Sequence, residues 1–230
     1  MKFKITLLLC SLVLYAAQAQ ETPQEAYSSV VTLSLLNPTF SYAPRYNVGY
    51  MHKVAPRWWV GLEAGYGNYG SSFGMGAQSD NRVNKDYRIF EVRPEVFYSL
   101  RNHGKIKHLV SAEVFYINHT DHFTNNRYYG PGGYPAYRYD EADFKRIKTG
   151  LNINYNLFFY FSETVGLIWK TGLGIKNRDV TYRNVTNKTT FDNSGDDEHF
   201  AWFGEDKFLK QSGAETNFNF NMDLKLFYKF

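Results

Sequence analysis

The sequence predicts an all-β fold: eight antiparallel strands wound up-and-down into a transmembrane β-barrel. Three observations predict it: strict two-residue alternation in the last strand, the same alternation in seven segments upstream, and connections that alternate between short and long. The last fifteen residues carry the strongest signal. Phe218, Phe220, Met222, Leu224, Leu226, Tyr228 and Phe230 share one parity and are all apolar. The other parity holds Asn217, Asn219, Asn221, Asp223, Lys225, Phe227 and Lys229, with Phe227 its one apolar member. Successive side chains of a strand point to opposite faces, so this segment has one apolar and one polar surrounding. A chain ending on an exposed aromatic suits a barrel strand, whose outer face meets lipid and whose aromatics gather at the membrane interface.

The first nineteen residues read as a signal peptide. Lys2 and Lys4 form a basic start, Ile5 to Ala17 an apolar run, and Ala17-Gln18-Ala19 a small-x-small cleavage site. The one cysteine, Cys10, lies inside that run, so the mature chain has no thiol for a disulfide or a metal. Residues 20–27 form a short periplasmic lead, and 28–230 carry the barrel.

Strand one, Ser28 to Asn37, sets Val31, Leu33 and Leu35 against Thr32 and Ser34. Strand two, Arg45 to Lys53, sets Tyr46, Val48 and Tyr50 against Asn47 and Gly49. In Arg57 to Gly70, Trp58, Val60, Leu62, Ala64 and Tyr66 alternate with Gly61, Glu63, Gly65 and Gly67. Asn84 to Leu100 presents Phe90, Val92, Pro94, Val96 and Tyr98 opposite Glu91, Arg93 and Glu95. Lys107 to Asp121 sets Val110, Ala112, Val114 and Tyr116 against Ser111 and Glu113. Asp143 to Tyr160 sets Leu151, Ile153, Tyr155 and Leu157 against Lys148, Asn152, Asn154 and Asn156. Thr164 to Tyr182 sets Val165, Leu167, Trp169, Leu173 and Ile175 against Lys170, Gly172, Gly174 and Lys176. The C-terminal segment is the eighth strand.

Short breaks at 54–56, 101–106 and 161–163 alternate with long ones at 71–83, 122–142 and about 183–212, as in barrels with periplasmic turns and outside loops. The boundary between strands one and two, near Asn37-Pro38 or Ala43-Pro44, is not fixed by the pattern. Aromatics make up 18% of the chain, with 19 Tyr and 19 Phe, and aromatic girdles account for such an excess. No run of eighteen apolar residues offers a membrane helix. Of the 26 basic residues two, Lys2 and Lys4, fall in the leader, and the near balance of the remaining 24 with 22 acidic residues, together with export, argues against nucleic acid as a partner.

The motifs Tyr46-Asn-Val-Gly-Tyr, Trp59-Val-Gly-Leu-Glu-Ala-Gly-Tyr, Arg93-Pro-Glu-Val, Gly172-Leu-Gly-Ile and Leu226-Phe-Tyr-Lys-Phe give the chain a family likeness. It resembles the small eight-stranded outer-membrane barrels typified by OmpA and OmpX, and more closely the small outer-membrane barrel proteins of Bacteroidota. The resemblance implies a bacterial outer-membrane location in a Gram-negative envelope, with membrane lipid as surroundings. It also implies that the terminal strand, ending at Phe230, is the signal read by the barrel-assembly machinery. It brings no activity and no cofactor with it.

The inward parity is charged: Glu63, Glu91, Arg93, Glu95, Glu113, Lys148, Lys170, Lys176, Asp223 and Lys225. An eight-stranded barrel has room inside only for its own side chains, so an ion-paired plug is expected in preference to an ion path. At the outer rim, Tyr128, Tyr129, Tyr134, Tyr137 and Tyr139 fall in a segment rich in Gly, Pro and Arg. Such a loop suits either a contact surface for a cell-surface partner or a cap resting on the rim. The alternative to this structural or adhesive role is a lipid A-modifying enzyme. It would use His119 or His122 as base, Asp121 as orienter and Ser71 or Ser72 as nucleophile. No metal site is expected, because the histidine and carboxylate spacings match no ligand motif.

Overall fold

In the computed structural model, residues 28–41, 43–71, 83–101, 106–191 and 210–230 are described. The leader at 1–19 and the lead at 20–27 lie outside them, as does most of the segment 71–83. The elements are β1 (Ser29–Ser34), a helical turn (Asn37–Phe40), β2 (Tyr46–Lys53), β3 (Trp58–Asn68), β4 (Arg88–Arg101), β5 (Ile106–Tyr129), β6 (Ala136–Tyr160), β7 (Val165–Thr186), the short β8 (Thr189–Phe191) and β9 (Gly213–Lys229).

Eight of these strands close on themselves. Consecutive strands from β1 to β7 pair antiparallel, and β9 pairs with β7 on one side and β1 on the other. β8 adds only to the far end of β6. The seam joins first strand to last through Val31↔Tyr228 and Leu33↔Leu226. Beyond it the Ser29 amide donates to the Phe230 carbonyl and the Phe230 amide to the Ser29 carbonyl, both at 2.9 Å. Every ring strand thus has a partner on each side.

Alternation then sorts the side chains. On β9, Asp223, Lys225 and Phe227 are buried while Leu226, Tyr228 and Phe230 are exposed. The same division holds on β2, where Asn47 and Met51 are buried between exposed Tyr46, Val48 and Tyr50. Pro94 on β4 faces outward opposite Leu62, and the β4–β5 register skips from Val92 to Glu95 around it, since proline has no amide to donate. The short turns at 54–57 and 161–164 lie at one rim with both ends of the ring, each closed by a backbone bond of 3.0 Å.

One connection differs from the sequence expectation. The segment 122–142 is not a long loop: β5 and β6 stay paired from Ile106↔Phe159 out to Tyr129↔Ala136, and only 130–135 turns. Glycines supply the left-handed backbone there, with φ of 75° at Gly132 and 87° at Gly133. β7 runs alongside to Thr186, with a register shift between Glu141 and Asp143 and Asn184 at φ 53°. The result is a three-stranded extension that projects past the other strands.

Candidate functional site: the layered interior and the projecting hairpin

The interior is built in layers from the short-turn rim. The first is apolar: Val30, Met51, Phe97, Leu109, Phe158, Ile168 and Phe227 pack together, with Trp59 and Tyr160 against them. The sequence reading expected charge throughout the interior and missed this floor. Phe227, the lone apolar residue on its parity, was the visible signal.

Above the floor the charged residues meet. Lys170 on β7 reaches Glu95 on β4 at 2.7 Å and also bonds Glu113 on β5. Arg93 on β4 donates to Glu113 at 2.7 Å, bonds Glu91, and lies 4.0 Å from Glu63. Lys225 on β9 pairs with Glu63 on β3 and stands 3.7 Å from Asp223. Arg45, just ahead of β2, bonds Glu91. Several of these contacts link strands that are not neighbours in the ring, so the charges tie one wall to another. Each carboxylate has a cation or a hydroxyl on it, as buried charge requires. Ser34 Oγ donates to Asp223 at 2.8 Å, and Asn47 Nδ2 to Glu63 at 3.1 Å.

Two parallel rungs of amides support the network. Asn219 on β9 donates to Asn152 on β6 at 2.8 Å, and Asn152 donates to Glu113 at 2.8 Å. Asn221 donates to Asn154 at 3.0 Å, and Asn154 to Glu95 at 3.1 Å. Between each pair of asparagines lies β7, where the registers place Gly174 and Gly172. A Cβ on either glycine would collide with the amide oxygen beside it. The Gly-x-Gly of β7 and the alternating asparagines of β6 and β9 are therefore one device. Arg45, Asn47 and these asparagines were missed as members of the site, although each lies on the inward parity.

Eight of the ten expected interior charges fall in this network: Glu63, Glu91, Arg93, Glu95, Glu113, Lys170, Asp223 and Lys225. The other two, Lys148 and Lys176, stand farther from the floor, with Arg146 and Arg178 on the same inward faces of β6 and β7. Arg178 pairs with Glu215 at 2.9 Å.

The rim residues do not assemble a catalytic site among the described residues. His119 is buried, accepts from Arg146 at 3.0 Å, and packs edge-on to Tyr87 and Phe144 with ring centroids at 5.0 Å. His122, on the opposite parity, faces outward and bonds Asp143 at 2.8 Å, and Asn184 donates to that carboxylate at 2.6 Å. These bonds raise the His122 pKa above the ordinary histidine value and lower that of Asp143. Asp121 accepts the Asn84 and His122 amides and does not orient either imidazole; burial pushes its carboxyl up to about 6. Ser71 Oγ is engaged with Asn68, while residue 72 lies outside the described residues.

The tyrosine segment is largely a core and not a surface. Tyr128, Tyr129 and Tyr139 are buried and Tyr137 is half-buried. Tyr128 stacks on Tyr182 of β7 at 4.4 Å and 17°, among Phe123, Phe144 and Val180. Of the five, only Tyr134, 64% exposed at the turn, is presented to the outside. Past the rim the β5–β6 pairing passes over Asn125 and Asp140, and the inward aromatics on both sides of that irregularity give the extension its own packing.

No protein-family model matches the chain, and no curated protein matches it. Among solved structures it is similar to a major outer membrane protein from Thermus thermophilus, with a TM-score of 0.47 and 12% identity over 89% of this chain and 99% of that one.

Proposed function

We propose that the chain is an outer-membrane β-barrel, inserted after its leader is removed, with a filled interior that serves as scaffold and a projecting hairpin that meets a surface partner. The observation that carries this reading is the belt of exposed apolar side chains around the ring. Its centre is aliphatic, with Val48, Leu62, Val96, Val114, Leu151, Ile153 and Leu173 all at least two-fifths exposed. Its edges are aromatic: Trp58, Tyr50, Tyr228 and Phe230 toward the short turns, and Tyr46, Tyr66, Phe90 and Phe218 toward the other rim. On β7 the belt runs from Val165 to Ile175, roughly 33 Å of strand and, tilted near 45°, roughly 24 Å of height. That matches a hydrocarbon layer, and in water so much exposed apolar surface is unfavourable.

Outside the belt the exterior of the extension turns polar, with Thr120, His122, Thr124, Lys145, Asn177 and Asp179. The hairpin therefore stands in water, where Tyr134 and its neighbours at the tip can touch a partner. Phe230, exposed at the seam, is the residue we assign to recognition by the barrel-assembly machinery. Cell fractionation followed by gel electrophoresis tests the reading. The protein is expected in the outer-membrane fraction, running faster unboiled than boiled; recovery from the soluble periplasmic fraction with no heat-dependent shift would overturn it.

A further inference from the structure

The ring closes unevenly at its seam. β1 stops at Ser34 and the chain leaves at the helical turn Asn37–Phe40, so β1 covers β9 only from Lys225 to Lys229. The last backbone bond across the seam runs from the Leu35 amide to the Leu224 carbonyl, at 2.8 Å. β9 goes on to Gly213 with β7 beside it all the way. Beyond Leu224, no described residue pairs with the other edge of β9.

The seam also fixes which groups line that edge. Phe230 exchanges both its bonds with Ser29, whereas the Lys229 amide donates to Thr164 on the β7 side. Pairing with β7 runs from Tyr228 to Gly213 without a register shift, so the even-numbered residues keep pointing away from β7. The amides and carbonyls of Thr216, Phe218, Phe220 and Met222 therefore face the open side.

Such a row is a template for another strand, and proteins blunt it with bulges, prolines or lysines. Where β5 outruns β4 and β7 outruns β9, Asn125 at φ 47° and Asn184 at φ 53° bend the backbone. β9 carries no such device. From Ala214 to Met222 it has no proline, no lysine and no left-handed residue, and its one charge, Glu215, is held by Arg178. Its outward Phe218 and Phe220 are 66% and 62% exposed. On its inward face, Asn217 Nδ2 is buried without a hydrogen-bond partner among the described residues. Across β7 from it stands Gly150, where the two rungs have Asn152 and Asn154. Nearer the seam, Asn219 to Asp223 border the polar cavity together with Asn37, a setting in which backbone polar groups at membrane depth are tolerated.

We propose that this edge of β9 takes up an extended segment of a partner polypeptide, lying antiparallel where β1 would have continued. Residues opposite each other in an antiparallel pair share a face, which sets the chemistry of the segment. Its outward side chains are apolar, against Phe218 and Phe220, and its inward ones are small and polar, beside Asn217 and Asn219. The site needs only a ring whose first strand is short, so it stands apart from the hairpin and from the membrane reading.

The test uses the purified full chain in a zwitterionic detergent and a fluorescent peptide, Thr-Val-Thr-Val-Thr-Val-Thr. Its anisotropy is expected to rise saturably with protein. The same peptide N-methylated on its valines, whose amides would face β9, is expected not to bind. Phe218→Pro removes one amide from the open side and none from the ladder to β7. It is expected to keep its thermal unfolding midpoint and to weaken peptide binding about tenfold, the order of one lost backbone hydrogen bond. Phe218→Tyr is expected to bind as the unmodified protein does. No saturable rise, equal binding of the N-methylated peptide, or undiminished binding by Phe218→Pro would each overturn the proposal. Failure of Phe218→Pro to fold would also overturn it, by showing that this amide is already bonded within the chain. A dimer that Phe218→Pro dissolves while the peptide goes unbound would assign the edge to a second copy instead.

Discussion

At the scale of single residues, the ion network holds together because each of its carboxylates meets a cation or a hydroxyl, several of them from another strand. Arg93 is the clearest case, since it touches Glu91 and Glu113 and lies near Glu63. Glu91 and Glu113 are fully buried, so they have no access to water if their cation is removed. Truncation removes the attraction and leaves the desolvation penalty, which is why breaking a buried pair costs about 3–5 kcal/mol while the intact pair contributes far less. Arg93→Ala is accordingly expected to lower stability by about that amount, read as a shift of the urea midpoint in detergent. A midpoint unchanged within error would show that Glu91 and Glu113 are not held by this guanidinium. Arg45 also reaches Glu91, and Lys170 also reaches Glu113, so the loss should fall at the lower end.

At the scale of elements, alternation alone located all eight ring strands, because a period of two is the geometry of the backbone itself. It placed the starts of β2, β3, β5 and β7 within one residue of the structure. It failed in the segment 122–142, where Gly130-Pro131-Gly132-Gly133 and the tyrosines have the composition of a loop although the chain is paired on both sides. The turn is real but spans only 130–135; the flanking tyrosines pack inward. The asparagine rungs were equally hard to read, since they depend on which glycine of β7 falls between which residues of β6 and β9, and register is a property of pairing and not of one strand. The extension also leads to an expected outcome. Its aromatic cluster joins β5, β6 and β7 beyond the belt and contains no residue of the floor or the ion network. Removing 126–139 and rejoining the strands with Asn-Gly should therefore leave heat-dependent gel mobility intact while abolishing adhesion of whole cells. Loss of the folded band would show that the hairpin helps hold the ring; unchanged adhesion would remove it as the binding element.

At the scale of the whole molecule, the apolar exterior and the filled interior are two faces of one alternation, and both bear on whether the protein conducts. A steady aqueous pore needs a continuous polar path wider than a hydrated ion. Here the short-turn end is closed by seven packed apolar side chains drawn from seven different ring strands. The next layer is crossed by Lys170, Arg93 and Lys225 with their carboxylates. A polar cavity of about 200 Å³ lies against this layer, lined by Lys148 and Lys176 together with members of the ion network. Eight strands give an interior that side chains fill, so widening the path would mean unpacking the floor and breaking ion pairs together. The two barriers are independent of each other. Phe97→Ala removes one ring from the floor but leaves Lys170 bound to Glu95 and Glu113 across the next layer. In planar bilayers neither the unmodified protein nor Phe97→Ala is expected to give stable porin-like steps. Large, long-lived steps from the unmodified protein would show that the interior is not packed as described; steps from Phe97→Ala alone would show that the floor is the whole seal and that the ion network spans the interior without closing it.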